Sequence, residues 1–152
     1  MQKDKFESRQ LTIEDGKKAL LHHAVEKGIA LHERYGNFID FDALQLILKD
    51  KDFTRYPTRV EFKSQFIEKG NFAFTEQLSA DDPSQGFVIY VHEYFKNKLG
   101  DVPALVLYHL VAVNYGPIAT SEEAEIFGAS ALGMKKEAYY QLLCALTDRI
   151  SS

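Results

Sequence analysis

Histidine is the most versatile side chain in this sequence, because it titrates near neutrality and its ring nitrogens can donate, accept or bind a metal. Two of the five histidines stand where chemistry would be sought. His92 lies beside Glu93 in the run Phe87-VIYVHEYF, and His109 sits within the apolar run 102–113, VPALVLYHLVAV. A strand that leads into a buried helix commonly turns side chains of both toward one face. His92, Glu93 and His109 could then converge, with Glu76 from a neighbouring strand as a further oxygen donor. Two imidazoles and one or two carboxylates suit zinc or ferrous iron. The spacing matches no metal motif, however. HExxH begun at His92 would need histidine at position 96, where Lys96 stands. The competing reading makes His109 a core histidine satisfied by backbone or tyrosine partners, with His92 half exposed on a strand.

The other candidates have plainer readings. His22 and Glu26 are four residues apart and share a helix face, an arrangement that is far more often a solvated pair than a metal site. His23 and His32, nine apart, fall on opposite sides of the same helix. Cys144 is the single cysteine. A nucleophilic thiolate needs a base or a positive environment. Leu142, Leu143, Ala145 and Leu146 supply neither, so a small buried hydrophobe is expected there. On the helical wheel Cys144 falls with Tyr140 and Thr147, off the main stripe by roughly 100°. Tyr140, Cys144 and Thr147 thus make a second, semi-apolar face. It is a candidate binding interface, to be covered by other helices or by a second subunit.

Basic and aromatic residues interleave in Phe53-TRYPTRVEFKSQF, a pattern that can track single-stranded nucleic acid. A strand period sends Arg59 and Lys63 to one side and Phe62 and Phe66 to the other, so charge and stacking would diverge. The net charge of −4 also opposes binding to a polyanion. There is no GxGxxG loop, no GxSxG elbow and no alternating oxygen donors of a calcium loop.

The elements that must position these groups can be read from composition and period. The 152 residues are 45% hydrophobic and 26% charged, in keeping with one folded domain. Residues 1–10 are polar and expected to be loosely ordered, with a single globular domain over 11–152. The N-terminal residues do not resemble a signal peptide, and no apolar run reaches the length of about 20 residues that a bilayer requires. One thiol fits a reducing compartment, so a soluble, cytoplasmic protein is expected.

Leu20, Leu21, Ala24, Val25, Gly28 and Leu31 recur at helical spacing, predicting a helix from about Thr12 to Tyr35 that stops at Gly36. Gly16 and Gly28 should each weaken it by about 1 kcal/mol relative to alanine. A short helix should follow, with Asp42 as N-cap and Ala43–Leu48 inside. Val60-EFKSQF, Phe72-AFTEQL and Phe87-VIYVHEYF read as three strands joined by short turns, hence a small antiparallel sheet. Pro103 opens a helix that ends at Gly116-Pro117 and is apolar nearly all round, which marks a buried centre. Thr120-Ser-Glu-Glu123 has the form of a capping box, with Gly133 closing that helix. Ala124, Gly128 and Ala131 form a small-residue patch suited to close helix packing. The last helix, about 135–150, carries Tyr139, Leu142, Leu143, Leu146 and Ile150 on one stripe.

The expected fold is therefore α+β: about five helices packed on a small antiparallel sheet, with a buried central helix near 103–115. Two functions fit it. The first is a non-catalytic interaction or regulatory protein, a homo-oligomer in its self-associating form, using the aromatic-rich sheet and the second face of the last helix, Tyr140, Cys144 and Thr147. The second is a small metal-dependent or histidine-based enzyme centred on His92 and His109. No motif implies a cofactor, and no residue is assigned a catalytic role.

Overall fold

Residues 102–115 have almost no polar face, so whatever surrounds them must cover them on every side. In the computed structural model of the chain, which describes residues 2–151 and the side chains of 13–150, nine residues of this helix are buried. Five helices run in the order α1 (Gln2–Tyr35), α2 (Phe41–Lys49), α3 (Val102–Tyr115), α4 (Ser121–Leu132) and α5 (Lys136–Ser151). Three strands, β1 (Thr58–Phe62), β2 (Ala73–Gln77) and β3 (Phe87–Val91), lie between α2 and α3. The α+β architecture with α3 at its centre is as the sequence predicts. Helix α1 begins at Gln2, ahead of the start near Thr12 expected from sequence; the expectation of loose order at 1–10 falls on residues whose side chains lie outside the described ones.

The sheet differs from the expected antiparallel one. Its strand order is β1-β3-β2, with β2 antiparallel to β3 but β1 parallel to it. All five residues of β3 are buried, whereas β1 and β2 are only partly covered. A strand without polar alternation needs both faces covered and therefore takes the middle. The alternating strands take the edges. Because β3 inserts between them, the residues 63–72 that link β1 to β2 form a crossing loop instead of a hairpin turn.

Register then fixes which side chains meet the helices. Ala73, Thr75, Ile89, Val91, Val60 and Phe62 share the α3 side, and Phe74, Glu76, Val88, Tyr90 and Glu61 share the other. On that far side the Tyr90 hydroxyl donates to Glu76 at 2.9 Å and the Phe66 ring lies 4.7 Å from the Tyr90 ring.

Helix boundaries follow local chemistry. Asp40, not Asp42, caps α2, its carboxylate accepting from the Ala43 amide at 2.8 Å. Gly36 and Gly116 stop α1 and α3 at positive φ, and left-handed Gly133 closes α4. The capping residues of α4 are those expected, with altered partners. Thr120 Oγ1 accepts from the Glu122 amide, while its hydroxyl donates to the buried Glu123 carboxylate.

Close packing sets the distance between α1 and α4. A Cβ on Gly28 would sit 2.5 Å from Ser130 Cβ and 2.8 Å from the Phe127 carbonyl oxygen. On another flank of α4, Gly128 admits the Tyr139 ring, whose hydroxyl donates to the Ala104 carbonyl of α3 at 2.6 Å. So the two glycines of α1 are not equivalent. Gly16 has open space around it. Gly16→Ala is expected to stabilise the protein by roughly 0.5–1 kcal/mol through helix propensity. Gly28→Ala should destabilise it by about 1–3 kcal/mol through overpacking. Urea denaturation of the two variants checks the pair, and effects of the same sign would refute it.

Candidate functional site

His109 owes its position to α3. The helix faces β2, and the one imidazole in its apolar length meets Thr75, the polar residue at the middle of that strand's inward side. Thr75 Oγ1 and His109 Nδ1 are 2.9 Å apart. Phe72 and Tyr108 stand edge-on to the ring, with centroids 5.5 and 5.6 Å away. This desolvation lowers the His109 pKa from its ordinary 6.5 to about 4. A protonated imidazole would lose hydration that nothing here replaces, so the ring stays neutral. Its Nε2 has no protein partner among the described residues, yet no buried side-chain polar atom is left unsatisfied. Nε2 is therefore open to a cavity.

That cavity, about 520 Å³, lies between α5, the start of α4, His109 and the chain just before β2. Tyr140, Cys144 and Thr147 form its α5 wall, with Asp148 beside them. They do so because the stripe of α5 is committed to the core: Tyr139, Leu143 and Leu146 are buried, and the residues about 100° round the helix are left facing the gap. Cys144 is exposed, not the buried hydrophobe expected, since it belongs to this second face. The Tyr140 phenol pairs with the Cys144 thiol, which raises the Tyr140 pKa above its ordinary value. Phe72, Tyr108 and Glu125 complete the lining that matters chemically. Burial raises the Tyr108 pKa, and the nearby Glu125 carboxylate adds to it.

The metal set proposed from sequence does not assemble. Among the described residues no three histidine, cysteine, aspartate or glutamate side chains come together as a metal site. Glu76 lies on the far side of the sheet from His109, because it neighbours Thr75 on a strand and must point the other way. The third strand ends at Val91, and His92 caps a 3-10 turn (Glu93–Asn97) instead of continuing it, its Nδ1 accepting from the Tyr94 amide at 3.1 Å. The Glu93 side chain is exposed, and its amide donates to Ser64 Oγ. Neither His92 nor Glu93 borders the cavity. His22 and Glu26 form the solvated pair expected, 3.0 Å apart and largely exposed.

Phe72, Tyr108 and Glu125 were not singled out from sequence. Tyr108 adjoins His109 and had a usable signal, as a polar-tipped aromatic in an otherwise aliphatic helix. Glu125 lies near the acidic start of α4, and nothing local says that α5 will leave it a cavity to face. A smaller cavity of about 260 Å³ lies near Asn114 and Tyr115 and is bordered by Lys27, Lys51 and Arg55. Two of these cations already have partners: Lys27 donates to the Asp52 carbonyl, and Arg55 stacks over Tyr56.

No helix among the described residues is long and apolar enough to cross a membrane. Comparison of the chain with protein-family models, with curated proteins and with solved structures finds no match.

The depressed pKa of His109 ties its environment to stability. Between about pH 6.5 and 4 the unfolded chain protonates this residue and the native state does not. Stability is therefore fully present above 6.5 and falls as pH drops through that window, by at most about 1.4 kcal/mol per pH unit. Replacing His109 with glutamine should flatten this part of the stability–pH curve, measured by urea denaturation. An unchanged slope in His109→Gln would show that the imidazole is not held neutral.

Proposed function

We propose that this is a non-catalytic interaction or regulatory protein whose recognition site is the cavity walled by α5. One observation carries the reading: Tyr140, Cys144 and Thr147 line the same 520 Å³ space as His109. A cavity of that size with aromatic walls and a few polar groups has the proportions of a small-molecule site. The state of His109 favours binding over turnover. An imidazole with a pKa of about 4 is a weak base at neutral pH, far from the value that suits proton transfer there. It acts instead as a fixed neutral hydrogen-bonding group. The exposed thiol of Cys144 suits a reducing compartment, in keeping with a cytoplasmic protein.

A self-associating form of this reading rests on Tyr140, which is 50% exposed at the cavity rim beside Cys144. A second copy seated on α5 would cover both. In that case sedimentation velocity at micromolar concentration gives a discrete oligomer, and Tyr140→Glu returns a folded monomer. A monomeric wild type removes self-association and leaves the cavity as the recognition site. The histidine-enzyme alternative retains only His109, since His92 lies elsewhere.

A further inference from the structure

The charge of the cavity says what it would hold. Glu125 and Asp148 border it, while no lysine or arginine among the described residues does. His109 adds no positive charge at neutral pH. Neither carboxylate has an ion-pair partner among the described residues. The remaining walls are rich in ring faces and edges: Phe72, Tyr108 and Tyr140. A carboxylate together with aromatic rings in a partly desolvated space attracts a cation and repels an anion. Ala73 and Leu143 join these rings in making the walls largely apolar, which calls for an apolar body attached to the charge.

We propose that the cavity binds a small organic cation, a protonated amine carried on an apolar or aromatic body. This rests on the reading of the cavity as a recognition site. Glu125 supplies the countercharge, and the aromatic walls take the apolar part. His109 reads the ammonium hydrogens. With Nδ1–H donating to Thr75 Oγ1, Nε2 presents its lone pair to the cavity, and an ammonium is a donor that has no acceptor capacity to offer. The neutral, tethered imidazole is suited to this because protonation would both remove the lone pair and repel the ligand.

Titration with phenethylammonium, 2-phenylethanol and 3-phenylpropanoate tests the proposal, read by amide chemical shifts and calorimetry at pH 7. These probes share an aromatic body and differ in charge. The amine is expected to perturb residues around Tyr108, Glu125 and Tyr140 and to bind most tightly, the carboxylate least. Glu125→Gln should weaken the amine about fivefold to tenfold, while Glu137→Gln, on α5 outside the cavity, should not. Nitrogen shifts of His109 should report the Nδ1–H tautomer in the amine complex.

Equal or tighter binding of the alcohol or the carboxylate in the cavity overturns the cation class and keeps the recognition site. Absence of cavity shifts with all three probes overturns both. Shifts there that follow protein concentration instead of amine concentration assign the cavity to a second copy and overturn the ligand proposal.

Discussion

Helix α3 cannot be left exposed on any side, and that requirement organises the molecule. Nine of its residues are buried, and burial of each large aliphatic side chain is worth about 1.5–3 kcal/mol. The sheet covers one side, α4 another, and Tyr139 of α5 closes a third by reaching the Ala104 carbonyl. The sheet could not do this with polar residues on its inner face. Apart from Thr58 and Gln77 at one end, its inward positions are apolar except for Thr75, which meets His109, so the imidazole in the middle of the helix is answered by a polar position on the strand.

Small residues determine how closely the cover fits. Gly28 lets α1 approach the α4 backbone, and Gly128, about 100° round α4, opens another flank to the Tyr139 ring. Helix α4 is thus wedged between two neighbours, each admitted by a missing side chain. With Tyr139 fixed in this way, the rotation of α5 is fixed as well. Tyr140 and Cys144 then have only the gap to face. The cavity is a by-product of helix orientation, and its walls come from residues the core does not use.

Much of this was legible in the sequence. The apolar character of 102–115 identified the central helix, Gly36, Gly116 and Gly133 identified helix ends, and the wheel of the last helix separated Tyr140, Cys144 and Thr147 from its buried stripe. The pairing of strands was less accessible, although the unbroken FVIYV of β3 did carry the information that it belongs in the middle. Alternation in the second strand also implied that Thr75 and Glu76 face opposite ways, which separates Glu76 from any site built on His109. What could not be read was tertiary: the meeting of α3 and α4 that places Glu125 beside Tyr108, and the turn at His92 that ends the strand early.

The β1-β3-β2 order has a consequence for how the chain folds. Neither outer strand pairs with the other, so residues 58–62 and 73–77 have no hydrogen-bonded neighbour until Phe87–Val91 is present. During synthesis they wait, unpaired, for a segment that emerges later. Closing these non-local pairings costs loop entropy before any strand contact offsets it. The helical segment at 41–49, stabilised by its own cap and local contacts, has no such delay. The sheet therefore cannot begin to pair until β3 has emerged, later than the locally capped helix at 41–49.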